Sequence, residues 1–428
     1  MEKNNKKTIN AWCMYDWANS VYSLTITTAV FPIYFSAVTR TEDGKNLIEL
    51  LGINLPNTVV YSYSLFFAFL TIAFINPLLS GIADYSGKKK SFMRFFAYLG
   101  SISCMLLFFF EKQTVGLGIL FFITATIGYA GSLVFYNAYL PEIATPDQYD
   151  RVSARGFSMG YIGSVLLLIF NLIMIQKPEW FGISQGTLPA RISFLSVGIW
   201  WFLFSNYTFK HLPKNNKEAP PKDSSYLLKG YTELKRVLQE IRGIRKIKLF
   251  LIGFFFYNMG FQTIMYLASI FGAEELKIPE AGLIITILII QLVAIAGAFV
   301  FSKTSARYGN IATLTIAVTL CIAICIAAYL TSSAEQFYAL AVVVGLIMGG
   351  IQSLSRSTYS KLLPETKDHA SYFSFYELTD KTGTAIGTAV YGLITSTTGS
   401  MRNSIFALGV FFLIAVFILL QLRKLTKE

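Results

Sequence analysis

The stretch Ser80-Gly-Ile-Ala-Asp-Tyr-Ser-Gly-Lys-Lys-Lys90 follows an apolar run that begins near Thr58, and another apolar run starts at Ser91. A glycine-flanked aspartate followed by a basic cluster, set between two hydrophobic segments, reads as a short cytoplasmic hairpin joining two membrane spans. Gly81 and Gly87 supply the backbone freedom for a tight turn, and Lys88, Lys89 and Lys90 hold the hairpin on the cytoplasmic side.

The rest of the chain has the composition this reading needs. Of 428 residues, 54% are hydrophobic and only 14% charged, with a mean hydropathy of +0.54. A soluble domain has no use for so much apolar surface, so a multi-pass membrane protein is expected. A polar start runs into a permanent-looking span without an Ala-x-Ala site, so no cleavable leader is expected. Cys13, Cys104, Cys321 and Cys325 lie in or beside apolar runs and read as small buried hydrophobes without metal-ligand spacing.

Runs long enough to cross about 30 Å of hydrocarbon begin near Trp12, Thr58, Ser91, Val115, Ser153 and Leu188. A second set begins near Ile247, Glu280, Gly309, Glu335, Ser371 and Arg402. The expected fold is all-α and integral to the membrane: twelve transmembrane helices in two six-helix bundles related by an internal repeat. Residues 1–209 form the first bundle, 210–246 a cytoplasmic linker and 247–428 the second bundle. In the linker, Leu227, Tyr231, Leu234, Leu238 and Ile241 recur at helical spacing opposite Lys229, Lys235, Arg236 and Arg242. That pattern predicts an amphipathic helix lying on the anionic membrane surface.

The net charge of +12 is distributed by topology. With both termini and the linker inside, only Arg40, Lys45, Lys112, Lys177, Arg191, Lys277 and Arg402 fall outside, and Lys381 lies within a span. That asymmetry fixes the orientation and removes the case for nucleic-acid binding. Pro141-Glu142 after the fourth span matches Pro364-Glu365 after the tenth, and Gly160 matches Gly383 at the same offset. The offset is larger for Tyr15-Asp16 and Tyr257-Asn258, which an insertion in the first external loop, Thr39 to Asn57, explains. Paired six-span repeats are how secondary transporters place a site between bundles near the midplane.

The hairpin resembles the Gly-x-x-x-Asp-Arg-x-Gly-Arg-Lys signature of major facilitator transporters, with Tyr85 where a basic residue is usual. Trp12-Cys-Met-Tyr-Asp-Trp-Ala-Asn-Ser20 resembles the opening of the autophagy-related vacuolar effluxer family and its bacterial relatives. So do Asn137-Ala-Tyr-Leu-Pro-Glu142, Arg151-Val-Ser-Ala-Arg-Gly156 and Gly160-Tyr-Ile-Gly163. In the second half, Gln352-Ser-Leu-Ser-Arg-Ser357, Pro364-Glu365, Phe373-Ser-Phe-Tyr376 and Lys381 carry the likeness. The resemblance implies a major facilitator fold, and fungal members are linked to amino-acid efflux from the vacuole.

Charged and polar groups inside the spans are costly, so they are the candidates for substrate binding or ion coupling. Asp16 reads either as an interfacial residue or as a gating and coupling group. Asn19, one turn deeper, is placed to share a hydrogen bond with it. Trp12 and Trp17 read as interface anchors. Glu377 and Lys381 are at i, i+4 and suit an ion pair. Asp380 is then left to water, to Arg356, or to a proton. Arg356 either snorkels to the interface or binds a substrate carboxylate. Asn137, Asn258, Gln262 and Gln352 complete the uncharged candidates, with Asn258 and Gln262 in span seven favoured.

Gly81, Asp84, Gly87, Lys88 and Lys89, together with Glu142, Arg151, Arg155 and Glu365, are the expected gate. By the resemblance, the hairpin aspartate lies near the start of the eleventh helix, and the second Pro-Glu suggests an equivalent gate in the other half. Gly156 with Gly160, and Gly383 with Gly387, are small-xxx-small spacings for close helix packing.

The expected function is secondary active transport of a small organic solute, such as an amino acid, by alternating access, with protons as a candidate coupling ion. The alternatives are an exporter of another metabolite or drug with the same fold, or a non-transporting sensor or scaffold. An enzyme is not expected: His211 and His369 are assigned to loops, and no His-Glu-x-x-His or Ser-x-x-Lys motif occurs. No metal or cofactor site is foreseen. The expected setting is a monomer in the cell membrane (the inner membrane of a Gram-negative bacterium), with both termini cytoplasmic.

Overall fold

The computed structural model describes residues 3–40, 47–50, 53–184, 186–213 and 226–426. Lys45, Pro220 and Pro221 lie outside these residues, as do the side chains of Leu227 and Lys229. Eleven helices among the described residues are long and apolar enough to cross a membrane. The remaining long helix, His369–Thr398, carries Glu377, Asp380 and Lys381 and completes twelve. The helices start within a turn or two of the apolar boundaries read from sequence, because each boundary is a polar-to-apolar step that the bilayer enforces.

The first span runs Lys6–Val38, starting where the Asn5 side chain accepts from the Lys7 and Thr8 amides at 3.0 and 3.3 Å. Its middle, Tyr22–Val30, is wound as a π-helix. Pro32 follows, and a proline has no N–H for the carbonyl four residues back. Within the π-helix the Thr28 hydroxyl donates to the Ser23 carbonyl at 2.9 Å. Spans two to six are Asn57–Ser86, Lys89–Leu106, Val115–Asn137, Tyr149–Gln176 and Leu188–His211. Spans seven to twelve are Arg245–Glu274, Glu280–Tyr308, Asn310–Leu330, Ala334–Leu362, His369–Thr398 and Met401–Thr426. Short strands Leu47–Leu50 and Ile53–Pro56 pair antiparallel in the loop after the first span.

Within the first half the first span packs on the fifth and sixth, and the third on the fourth and sixth. In the second half the seventh packs on the eleventh and twelfth, and the ninth on the tenth and twelfth. Between the halves the second span meets the eleventh and the eighth meets the fifth. Exchanging halves maps one of these contacts onto the other. The interface therefore has a pseudo-two-fold axis. Large apolar side chains such as Phe74, Leu203, Leu393 and Phe417 point outward, as lipid-facing surfaces require.

The linker helix, Tyr226–Gly243, forms as expected, but its apolar side is seated on protein. It packs against the second span. A Cβ built on Gly81 would lie 2.3 Å from the Gly230 carbonyl oxygen, so Gly81 serves this contact and lies inside the helix, not in a turn. Val237 and Ile241 are buried, while Tyr231 of the expected apolar stripe is exposed. Gly87 does make the turn, with φ +66° closing the second span in left-handed geometry.

Candidate functional site

The centre of the molecule is organised by Arg356. It is 2% exposed, and its five N–H donors are all used. The Nη1 and Nη2 groups each donate to Asp16 Oδ2 at 3.3 Å, and Nη1 also donates to Asn137 Oδ1 at 3.3 Å. Nη2 reaches the Ser153 carbonyl at 2.9 Å and Nε the Ser153 hydroxyl at 3.0 Å. The Trp12 and Phe157 rings lie 4.6 and 4.1 Å from the guanidinium carbon. Asp16 Oδ2 also accepts from the Tyr136 hydroxyl at 2.6 Å. A buried charge is tolerable only when paired and fully hydrogen-bonded, and this one is. Arg356 thus neither snorkels nor meets Asp380. Trp12 is no interface anchor: it is buried, stacked on Tyr136, and donates to the Tyr136 carbonyl at 2.9 Å. Trp17 is half-buried and stacks on Trp200. Asn19 makes no bond to Asp16; its Oδ1 accepts from Ser20 at 3.5 Å and its Nδ2 has no partner among the described residues.

Asn137 passes this network to the eleventh span, donating to Glu377 Oε1 at 2.8 Å. There the expected Glu377–Lys381 ion pair is present, but Asp380 shares the lysine and is not the group left over. Lys381 bonds Asp380 directly and stands 3.7 Å from Glu377 Oε2. Asp380 Oδ1 also accepts from Asn258 at 2.6 Å and from Gln262 at 3.4 Å. Asp380 is therefore well supplied with donors, and it is Glu377 Oε2 that lacks a hydrogen-bond partner among the described residues.

Three further contacts close the side on which the two termini lie. Asp84 accepts from the amides of Ala370 and Ser371 at 3.3 and 2.7 Å, seating the hairpin on the N-terminus of the eleventh span. Glu142 pairs with the fully buried Lys89 and accepts from His369 Nδ1 at 3.1 Å. Asp150, at the start of the fifth span, accepts from Lys361, Asn310 and Ser305 at 2.8, 2.7 and 2.9 Å. The linker adds Arg236 to Asp368 at 2.6 Å and the Tyr372 hydroxyl to Glu240 at 2.5 Å.

Several expected gate residues stand elsewhere. Arg151, Arg155 and Lys88 are exposed; Glu142 takes Lys89 and His369 in place of the two arginines, which lie outward on their helix. Glu365 is exposed and makes no ion pair among the described residues, so the second Pro-Glu does not repeat the contacts of Glu142. The contact that mirrors Asp84 is made by Asp150: the first half carries one acid on its hairpin and the other at the start of its fifth span, where Ser305 and Asn310 of the second half's hairpin meet it. Neither histidine lies in a loop: His211 ends the sixth span and His369 opens the eleventh. Gly156 belongs to the site: its Cβ would sit 2.5 Å from Asp16 Oδ2.

Beyond the Asp16–Arg356 layer, away from the termini, a cavity with 690 Å³ of empty space lies between the halves. Thr28 and its π-helical neighbours line it from the first span, with Gln262 and Tyr266 from the seventh, Gln291 from the eighth and Gln352 from the tenth. Gln352 also accepts from the Tyr161 hydroxyl at 2.6 Å.

The family model described as vacuole effluxer Atg22-like matches residues 4–426. The chain belongs to this Atg22-like family. The MFS-type transporter YxiO of Bacillus subtilis is 32% identical over 422 residues, covering 98% of this chain and 95% of the relative. Autophagy-related protein 22-2 of Aspergillus niger is 24% identical, covering 90% and 78% respectively. Among solved structures, the human organic anion transporter MFSD10 superposes with a TM-score of 0.75 at 13% identity, covering 98% of this chain and 100% of that one. FucP in its outward conformation gives 0.71 at 11% identity over 98% and 99%. The major facilitator fold is thereby established, and an Atg22-like chain of this kind is an MFS-type transporter, not an enzyme.

In this Atg22-like chain, the motif residues Trp12, Asp16, Asn137 and Arg356 converge on one network. Sequence reasoning missed Tyr136, Ser153 and Asp150, although all three sit inside or beside quoted motifs. It also missed Asn76, whose one signal was its position before Pro77 within an apolar run.

Proposed function

We propose that this chain carries a small polar organic solute, an amino acid, across the cell membrane by alternating access of its two halves. The observation that carries this reading is the Asp16–Arg356 pair: it joins the first and tenth spans, one from each half, beneath a cavity lined by glutamines. The contacts of Asp84, Glu142 and Asp150 then form the cytoplasmic gate, and both termini face the cytoplasm. Gln262 and Gln352 bind the solute, while Asn258 positions Asp380. A polar solute suits the site because Gln262, Gln291 and Gln352 offer it both donors and acceptors, with Asp380 within reach of Gln262. The chain works as a monomer, with the linker helix as part of the gate.

A second reading, export of a more apolar metabolite or drug, is favoured by one feature. A cavity of 540 Å³ inside the second half, lined by Leu267, Phe271, Ile324 and Phe337, shares Ala268, Thr286 and Ile290 with the central one. A thermal-shift screen of the purified protein decides between them. A ligand at 100 times its Kd stabilises by about 2.7 kcal/mol. A rise in Tm with amino acids, lost in Gln262→Ala, is the expected result. A rise only with amphipathic drugs supports the second reading, and uptake by empty and loaded liposomes alike overturns both.

A further inference from the structure

A second, smaller cavity lies between the second and eleventh spans, with 220 Å³ of empty space lined by Ile72, Ala73, Asn76, Pro77, Ser374 and Glu377, and by Leu378 and Lys381. Asn76 is 2% exposed, and neither its Oδ1 nor its Nδ2 has a hydrogen-bond partner among the described residues. Glu377 Oε2, on the opposite wall, has none either. Leaving such groups buried and unpaired is costly, and more so when they are charged. The space has room for about one water, which needs polar partners of this kind. Pro77 adds another acceptor, because it offers no N–H to the Ala73 carbonyl.

The charges around Glu377 do not balance. Arg356 from the tenth span is matched by Asp16 from the first. On the eleventh span, Lys381 bonds Asp380 and stands between two carboxylates with a single positive charge. The fourth span contributes Asn137, Tyr129 and Tyr136, and the second contributes Asn76; none of these four supplies a cation. Tyr376, on the eleventh span itself, adds only a hydroxyl. Asp380 has Lys381, Asn258 and Gln262 as donors, so the surplus negative charge falls on Glu377.

We propose that Glu377, facing the Asn76 cavity, is the proton-binding site of this transporter, separate from the solute cavity. A proton arriving through water in the cavity adds to Glu377 Oε2, converting the carboxylate to the neutral acid. The new O–H donates to Asn76 Oδ1 through a cavity water, while Oε1 keeps its bond from Asn137. Lys381 is then left wholly to Asp380. Release reverses each step. Because the second and eleventh spans belong to different halves, the protonated and charged forms hold the two halves differently. The inference rests on the carrier reading for its purpose, but its test uses no solute and stands or falls separately.

The test is an infrared pH titration of the purified, full-length protein in lipid, read as the carboxyl C=O band of a buried protonated acid. The expected result is a band lost in Glu377→Gln, retained in Asp380→Asn, and shifted in frequency in both Asn76→Ala and Asn76→Leu. Two variants of different volume are used so that one failing to fold leaves the other. A band lost in Asp380→Asn and kept in Glu377→Gln overturns the assignment. So does a Glu377 band identical in wild type and both Asn76 variants, or a spectrum with no Glu377-dependent band.

Discussion

Arg356 of the tenth span lies 3.3 Å from Asp16 of the first, a bond between residues 340 positions apart that ties the two halves together. Both side chains are buried, and Tyr136, Ser153 and Asn137 satisfy what the pair leaves over. Such a bond stabilises one conformation of the molecule specifically, because the halves must separate here if the terminus-bearing side is to open.

Breaking it from one side should be costly. Arg356→Leu leaves Asp16 buried without its cation, a loss on the order of 3–5 kcal/mol. The double variant with Asp16→Asn should recover part of that. Thermal unfolding of the two singles and the double measures the coupling; strictly additive losses would show that the pair does not act as a unit.

The same break should open the closed side. Cys13 is buried one turn from Asp16, with its thiol 3.9 Å from the Val152 carbonyl. In a background with Cys104, Cys321 and Cys325 replaced by alanine, maleimide should label Cys13 faster in Arg356→Gln than in the parent. Equal labelling rates would place the closure elsewhere.

Gly156→Ala should disturb the site by overpacking. Its Cβ would stand 2.5 Å from Asp16 Oδ2, closer than real Cβ contacts come, and 3.0 Å from Arg356 Nη2, a tight contact. A loss of about 1–3 kcal/mol follows. Gly116→Ala, with nothing within 4 Å of its Cβ, is the matched control and should be neutral or slightly stabilising. Similar Tm changes in both would refute the steric account.

The gate contacts should differ in cost. Asp84→Ala removes a cap on the eleventh span, about 1 kcal/mol. Lys89→Met strands Glu142 beside His369 inside the protein and should cost several times more, about 3–5 kcal/mol. Denaturation in matched detergent compares them, and a reversed order would mean that Lys89 and Glu142 separate at little cost.

Gln262→Ala and Gln352→Ala test the solute cavity. Each should weaken ligand-induced stabilisation roughly ten-fold in Kd, equivalent to about 1.4 kcal/mol, measured as the shift from that variant's own ligand-free Tm. Unchanged ligand shifts in both would remove the glutamines from the binding site.

What could be read from the residues alone follows from one fact: a bilayer demands continuous apolar helices and penalises charge. Twelve spans, the hairpin turn at Gly87 and the importance of Asp16, Asp84, Arg356 and Glu377 are all legible by that rule, since each charge is an exception to it. Pairing is another matter. A charge's depth in its own helix says nothing about which helix stands opposite, so Arg356 reads as a snorkelling residue until Asp16 is seen beside it. Asp150 draws no attention in the sequence, and only the closure of Lys361 and Asn310 on it gives it a part. Asn76 is one polar residue in an apolar run, and only the empty space between it and Glu377 gives it meaning. The sequence determined which groups the membrane makes expensive; the packing of the two halves decided which of them offset one another, because that cost is relieved only by contacts between distant spans.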